Sequence, residues 1–214
     1  MAAPAGFFDN CLTATSWSKI APLARTPRVT GPDGLNPDPR LLELVARQAV
    51  RVAAALPGAG RRWLLVDVAG QRLALVQTGR ITGMWRVSTA AAGLDARVDS
   101  GGTPPGLHRI ARRVGIGAAP GAVFASREPT GEVWRGESDA RDLILARILV
   151  LDGLEDGVNR GPGVDSRERY IYIHGTNHED RLGEPVSGGC CRLSVRDVID
   201  LADRVREGDP VVIV

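Results

Sequence analysis

The sequence of 214 residues contains few cysteines and only one lysine, Lys19, among its 27 basic residues. We attribute this excess of arginine to the base composition of the coding DNA. The three cysteines are Cys11, Cys190 and Cys191. Because the last two are adjacent, an evenly spaced disulfide framework is excluded. Neighbouring cysteines form only a strained disulfide, which leaves metal binding, nucleophilic catalysis and simple burial as interpretations of the pair.

Long apolar segments and a strong charge of one sign are also missing. The longest apolar stretch, Leu143 to Leu151, is interrupted by Arg147 and is far shorter than a membrane-spanning helix. A net charge of +2 is too small to indicate a nucleic acid or a membrane surface as partner. With 43% hydrophobic and 24% charged residues, the composition predicts a soluble globular protein of one domain with a small appendage.

The first forty residues contain repeated helix and strand breakers and predict an irregular segment. Met1 to Ala24 lacks the basic start and continuous apolar stretch of a signal peptide, and Cys11 within it carries either a lipid or no function. Asp38 then fits a helix cap and Pro39 the first helical position, and Pro57-Gly58 ends the helix. We therefore divide the chain into an irregular and helical N-terminal extension, residues 1–60, and a main domain, residues 61–214.

The main domain has the pattern of short strands separated by turns. A helical period returns only after Ser194, a second cap, and Gly208 ends that helix. The sequence thus predicts a mainly β domain with one helix before it and one near its end. The predicted strands begin with a three-stranded meander and are Trp63–Val68, Arg72–Gln77, Ile81–Ser88, Leu107–Arg112, Gly121–Ser126, Ile144–Leu151, Arg169–His174 and Val211–Val214.

The candidate catalytic residues lie in the segment from Tyr170 to Leu193. In a strand of period two, Tyr172 and His174 share the face opposite Ile173. The glycine-rich loop after His174 is suited to bring Cys190 back towards the imidazole, which is the usual means of making a thiolate at neutral pH. Catalysis by Cys190 and His174 competes here with a structural role for both residues.

The residues around this pair have two interpretations each. Gly188 and Gly189 let the backbone approach a substrate and direct amides at an oxyanion. The Gly175 carbonyl would fix the tautomer of His174. Tyr172 either lines the pocket or packs in the core, and Ser187 is expected to bond the loop backbone. Arg192 either holds a substrate carboxylate or shapes the loop through a nearby acid or carbonyl.

Two further uses of the cysteines remain open at this point. A zinc site drawn through His174, His178, Cys190 and Cys191 is disfavoured, because the residues between the histidines do not hold a helix and adjacent cysteines chelate poorly. Cys191 is expected to be a small buried hydrophobe, with redox control as the alternative.

His108 has no partner that the sequence identifies and is expected to be structural.

The run His174-Gly175-Thr176, then Gly183, then Ser187-x-Gly189-Cys190-x-Arg192-Leu193, resembles the signature of the L,D-transpeptidase catalytic domain (YkuD-type). Gln71-Arg72-Leu73 and Thr103-Pro104-x-Gly106 also resemble the family, and the similarity extends from about Trp63 to Val214. The resemblance implies the family's β-sandwich-like fold, Cys190 as the nucleophile and His174 as the base. One departure is Gly188, which stands where the family usually has histidine.

The resemblance further implies acyl transfer on peptidoglycan stem peptides. A thioester forms on the cysteine, a terminal D-amino acid leaves, and an acceptor amine resolves the intermediate without metal or organic cofactor. The family is also acylated by carbapenems. Two alternatives are an L,D-carboxypeptidase that uses water as acceptor and a non-catalytic module that binds cell-wall peptide. The substrate implies the periplasm or cell envelope, whereas the lack of a recognisable signal peptide leaves the cytoplasm as the alternative.

Overall fold

A computed structural model describes residues 36–58 and 61–214 of the chain. The predictions for Cys11, Lys19 and the rest of residues 1–35 lie outside these ranges. Helix α1 spans Pro39–Ala55. The Asp38 side chain caps it by accepting a hydrogen bond of 2.8 Å from the Leu41 amide, and Pro39 occupies its first turn. The helix predicted from this cap is confirmed.

The main domain consists of ten strands, a second helix and a short 3₁₀ segment at Glu179–Arg181. Helix α2 spans Val195–Arg204, and the Ser194 side chain caps it by accepting from the Asp197 amide. No helix in the described part of the chain is long and apolar enough to cross a membrane. The strands are β1 (Arg62–Asp67), β2 (Arg72–Gln77), β3 (Arg80–Arg86), β4 (Gly106–Val114), β5 (Ala122–Ala125), β6 (Glu128–Val133), β7 (Ile144–Gly153), β8 (Tyr172–Gly175), β9 (Cys191–Leu193) and β10 (Pro210–Ile213).

All ten strands belong to one mixed sheet. Its main path is β3-β2-β1-β10-β4-β7-β5-β6, in which β1 to β3 form the expected antiparallel meander and β10 is parallel to β1. Strand β8 pairs antiparallel with β7 and parallel with β9, off the main path. The mainly β architecture, with one helix before the sheet and one directly after β9, is therefore confirmed.

Three local predictions differ from the structure. Strand β8 begins at Tyr172, not at Arg169, because Tyr170 adopts a left-handed conformation (φ +58°) that breaks the extended backbone. Strand β6 was not predicted, since its hairpin turn is formed by Ser126 and Arg127 with positive φ and contains neither glycine nor proline. Strand β9 has only three residues and is too short to show a period.

Two apolar layers cover the two faces of the sheet. The larger one packs α2, through Val198 and Leu201, against the centre of the sheet. The other packs α1 onto the meander, where Leu41 is 1% exposed and meets residues such as Trp63 and Val76. The part of the extension that forms α1 thus contributes directly to a core of the main domain.

This packing predicts a matched pair of effects within α1. Leu41→Ala should lower the free energy of unfolding by about 3 kcal/mol, because it removes a fully buried side chain and leaves a cavity. Leu42→Ala, whose side chain is 41% exposed, should change it by less than about 1 kcal/mol. Urea unfolding followed by circular dichroism measures both. Equal values for the two variants would contradict the packing of α1 on the sheet.

Candidate active site

The candidate active site lies where strands β8 and β9 run side by side. Their parallel register pairs Ile173 with Cys191 and His174 with Arg192, so Cys190 continues the register opposite Tyr172. Side chains alternate across the sheet. Ile173 and Cys191 accordingly enter the larger core, whereas Tyr172 and Cys190 pack together on the other face. The expected approach of Cys190 to the strand of His174 is therefore present in the structure.

The Cys190 thiol contacts two backbone groups on either side of Ile171. Its Sγ donates to the Tyr170 carbonyl and accepts from the Tyr172 amide, each at 3.4 Å. The first contact stabilises the neutral thiol and the second stabilises the thiolate. Burial is the larger effect, and it raises the pKa of Cys190 to about 11. At neutral pH the resting thiol is thus protonated.

His174 is buried, with 3% of its surface exposed. Its Nδ1 lies 2.8 Å from the Gly175 carbonyl, and because a carbonyl only accepts, Nδ1 carries the proton. Burial lowers the pKa of His174, so the ring is neutral and Nε2 presents a lone pair. The proposed role of the Gly175 carbonyl in fixing the tautomer matches this contact.

A network of hydrogen bonds fixes the loop before Cys190. Ser187 Oγ donates to the Cys190 carbonyl at 2.6 Å and accepts from the Gly189 amide at 3.2 Å. Thr103 Oγ1 donates to the Gly189 carbonyl at 2.9 Å. Ser187 therefore bonds the loop backbone, as its residue type suggested. Thr103, which belongs to the family pattern, also holds this loop in place, and the sequence did not predict that role.

The two glycines of this loop differ in what they require. Gly189 has φ +134°, and a Cβ there would lie 3.2 Å from the Gly102 carbonyl oxygen, so its backbone and its surroundings both demand glycine. Gly188 is exposed, and a Cβ there would meet nothing within 4 Å. The space that a histidine side chain would need at position 188 is thus open.

Arg192 is buried and forms an ion pair with Asp142, which precedes β7 and is half exposed. Of the two interpretations of Arg192, this contact matches binding to a nearby acid. Both charges act on His174: Asp142 raises its pKa and Arg192 lowers it. The pair also borders a pocket of about 250 Å³, whose remaining lining residues are His178, Arg181 and Val186. A polar pocket is therefore lined by the two charged residues that act on His174.

Tyr172 is buried beside Cys190 and its hydroxyl accepts from Arg127 Nε at 2.7 Å. The Arg127 guanidinium also lies over the rings of Tyr170 and Tyr172, with its Cζ 4.7 and 5.3 Å from their centroids. Sequence reasoning missed Arg127 and Asp142. Neither carries a local signal, because Arg127 lies in an unrecognised hairpin turn and Asp142 in an irregular segment.

The structure separates the two thiols of the zinc alternative. Cys191 is fully buried in the larger core and points away from the face of Cys190, so the two thiols do not converge. Within residues 36–58 and 61–214, no group of three or more histidine, cysteine or acidic side chains is arranged to hold a metal ion. Burial also raises the pKa of Cys191, which keeps it a neutral apolar side chain.

His108 has the partners that the sequence did not reveal. Its Nδ1 donates to the Gly106 carbonyl at 3.1 Å, and its Nε2 accepts from Ser166 Oγ at 3.0 Å. The backbone carbonyl of Ser166 accepts from the amide of Ile171, one residue after Tyr170. His108 thus connects β4 to the segment whose end contacts the Cys190 thiol.

A mainly β sheet that places a thiol and a neutral buried imidazole on one face of neighbouring strands defines a candidate cysteine–histidine nucleophilic site. The sequence model of the L,D-transpeptidase catalytic domain (YkuD) matches residues 61–213, and the chain belongs to this family. YkuD of Bacillus licheniformis is 43% identical over 44 residues, a stretch that covers 21% of this chain and 27% of that protein.

Solved structures of the same description are similar to the chain at low identity. An L,D-transpeptidase from Mycobacterium smegmatis gives a TM-score of 0.46 at 16% identity, covering 72% of this chain and 58% of its own. An L,D-transpeptidase from Mycobacterium tuberculosis H37Rv gives a TM-score of 0.46 at 16% identity, and the match covers 72% of this chain and 57% of that protein. This chain therefore spans less than two thirds of the length of these relatives.

The burial of His108 predicts a pH dependence of stability. Burial lowers the pKa of His108 to about 4, whereas the unfolded chain takes up this proton near pH 6.5. The stabilisation by neutral His108 is thus complete above pH 6.5 and is lost as the pH falls towards 4. Between pH 7 and 5 both proteins should lose unfolding free energy. We expect the loss in His108→Gln to be smaller than the loss in the wild type, by about 2 kcal/mol.

Urea unfolding at the two pH values measures this difference. His174 is also buried with a lowered pKa and stays in the variant, so part of the pH dependence should persist. His178→Gln, which removes a half-buried histidine outside the core, is the matched control and should keep the wild-type dependence. An unchanged dependence in His108→Gln would refute the assignment.

Proposed function

We propose that the protein is a peptidoglycan L,D-transpeptidase in which Cys190 is the nucleophile and His174 the general base. The single observation that carries this proposal is the register of β8 and β9, which sets the Cys190 thiol on the same face as a neutral buried imidazole. Family membership supports the choice of substrate, a stem peptide of the cell wall. The reaction belongs to acyl transfer and requires no metal or organic cofactor.

The first half-reaction breaks a peptide bond of the donor stem. Nε2 of His174 accepts the thiol proton while Sγ of Cys190 attacks the carbonyl carbon that precedes the terminal D-amino acid. The resulting oxyanion collapses, and the carbon–nitrogen bond breaks. The imidazolium returns its proton to the leaving amine, so the D-amino acid departs and a thioester remains on Cys190.

The second half-reaction transfers the acyl group. An acceptor amine attacks the thioester carbonyl, its proton passes to Nε2 of His174, and the carbon–sulfur bond breaks. The proton then returns to Sγ, which restores the thiol. Asp142 favours the transient imidazolium, because its carboxylate charge raises the pKa of His174.

We assign the oxyanion contacts to the backbone around Gly188, Gly189 and Cys190. The Gly189 amide already donates to Ser187, so the amides of Gly188 and Cys190 are the better candidates. Arg192 already pairs with Asp142 and borders the polar pocket. We propose that this pocket receives a substrate carboxylate, with Arg192 and Arg181 as its cations. Tyr172 and Gly175 then position the thiol and the imidazole.

Two other functions share the same residues. If water replaces the acceptor amine, the thioester is hydrolysed and the protein is an L,D-carboxypeptidase. If Gly188 cannot replace the usual histidine, the domain binds cell-wall peptide without reacting. The network through Ser187 and Thr103 favours catalysis, because it fixes the nucleophile loop without any side chain at position 188.

The substrate class also suggests where the protein acts. Peptidoglycan stem peptides are crosslinked outside the cytoplasmic membrane, and we therefore propose the periplasm or cell envelope as its location. Residues 61–214 are the proposed catalytic domain. Residues 1–60 are the proposed extension, of which helix α1 stabilises the sheet.

Reactivity of the assigned nucleophile gives a direct prediction. Incubation with a carbapenem should add the mass of the ring-opened drug to the intact protein, because Cys190 acylates as it would on a donor carbonyl. The adduct should be absent from Cys190→Ala and present in Cys191→Ala, whose thiol lies in the core. A wild-type protein without an adduct, or an adduct on Cys191, would overturn the assignment.

Incubation with a muropeptide that carries a tetrapeptide stem tests the function itself. A transpeptidase should release the terminal D-amino acid and form a crosslinked dimer, and Cys190→Ala should do neither. Release without a dimer would identify a carboxypeptidase. Binding of the muropeptide without release would identify the non-catalytic module. Mass spectrometry of the products separates the three outcomes.

A further inference from the structure

Arg169 lies in the turn before β8 and reaches across to the segment between β3 and β4. Its Nη2 donates to the Gly102 carbonyl at 2.9 Å and to Ser100 Oγ at 3.3 Å, and its Nη1 donates to the Asp95 carbonyl at 3.2 Å. Three hydrogen bonds from one guanidinium fix its position. None of the reaction steps described above uses this side chain.

Both ends of the Arg169 side chain lie beside neighbours of Cys190. Arg169 directly precedes Tyr170, whose carbonyl accepts from the Cys190 thiol at 3.4 Å. At the other end, the Gly102 oxygen bound by Arg169 lies 3.2 Å from the position of a Cβ on Gly189. The guanidinium is therefore fixed between the two backbone segments that enclose Cys190.

The charge of Arg169 is not neutralised where it lies. All three of its acceptors are neutral oxygens, and no described carboxylate lies within ion-pair distance of it. Arg192, the other cation near Cys190, is paired with Asp142. Partial burial of Arg169 lowers its pKa, so the structure tolerates a desolvated cation without a direct acidic partner. Such a cation needs a compensating anion nearby.

The remaining charged and titratable groups are limited in their effect on the thiol. On the side of β9, Arg192 lowers the pKa of Cys190 and its ion-pair partner Asp142 raises it, so the two charges act in opposite directions. Tyr172 packs beside Cys190, and Arg127 lies over the rings of Tyr170 and Tyr172. His174 is neutral, as described above.

On the other side, Asp95 and Asp99 face Arg169 and raise its pKa. The Asp95 carboxylate is bound to the exposed Arg97, at 2.6 Å. Among the described residues, Arg169 thus has no carboxylate within ion-pair distance, and its charge lowers the pKa of Cys190.

We propose that Arg169 is the counter-cation of the Cys190 thiolate. When the thiol proton leaves Sγ, the sulfur becomes an anion that attracts a guanidinium without a directly bound carboxylate, and this attraction stabilises the nucleophile. Arg169 acts on the sulfur by its charge and on the loop by its bonds to Gly102 and Ser100. It is a positioning and electrostatic residue for Cys190, whatever the acyl donor.

Alkylation of Cys190 by iodoacetamide tests this inference without any cell-wall substrate. The rate is followed by intact mass between pH 6 and 10, with Cys191 buried and Cys190→Ala as the blank. Arg169→Met keeps the length of the side chain and removes the charge. We expect its rate at a given pH below the thiol pKa to fall roughly tenfold, which corresponds to a thiol pKa about one pH unit higher.

Two variants separate charge from structure. Arg169→Lys restores the charge without the three-pronged bonding and should recover most of the rate, whereas a purely structural role would leave it as slow as Arg169→Met. Arg167→Met, a change of an exposed arginine two residues away, should react like the wild type. A wild-type rate in folded Arg169→Met, or no recovery in Arg169→Lys, would overturn the proposal.

The alkylation outcome is independent of the proposed transpeptidase function. If Arg169→Met slows alkylation but the wild type does not process a muropeptide, the ion pair stands and the proposed function falls. If the wild type forms crosslinked dimers and Arg169→Met is alkylated at the wild-type rate, the function stands and the role of Arg169 falls.

Discussion

The parallel pairing of β8 with β9 is the constraint on which the rest of the candidate site depends. It places Cys190 opposite Tyr172 and one strand away from His174, on a single face of the sheet. The same pairing sends Cys191 into the opposite core, which is why Cys190 is the cysteine that we propose as nucleophile. Strand β9 leads directly into α2, whose packing against β7 and β8 keeps the pair in register. A shift of one residue in this register would exchange the two thiols between core and site.

Burial of the site determines its resting protonation. The low-dielectric surroundings keep the Cys190 proton on sulfur and keep His174 neutral, so the thiolate–imidazolium pair is disfavoured before substrate arrives. In the reaction that we propose, proton transfer is therefore coupled to attack, when the negative charge moves from sulfur to an oxyanion bound by loop amides. The charges of Asp142 and Arg169 each favour one product of this transfer, the imidazolium and the thiolate respectively. Burial thus keeps the thiol and the imidazole neutral at rest, and the fixed charges nearby stabilise their ionised forms.

Local sequence signals predicted the parts of the fold that depend on local chemistry. Asp38 and Ser194 as caps, the meander after Trp63 and the alternation through Tyr172 and His174 could all be read from neighbouring residues. Tyr170 could not, because its left-handed backbone depends on contacts with Arg127 and with the thiol. Asp142, Arg127 and Arg169 were also beyond local reasoning. Asp142 and Arg127 reach the site from distant segments, and Arg169 is fixed by bonds to the distant segment between β3 and β4. Only the three-dimensional arrangement of strands brings these segments together.

The glycine at position 188 is best understood from the loop that contains it. The backbone between Ser187 and Cys190 is held by the Ser187 hydroxyl, by Thr103 and by the close approach of Gly102 to Gly189. None of these contacts uses a side chain at position 188, which faces open space. Loss of an imidazole there removes a group from the rim of the site while the support of the nucleophile is unchanged. This is consistent with our proposal that the base is His174, whose ring is fixed by the Gly175 carbonyl within the sheet.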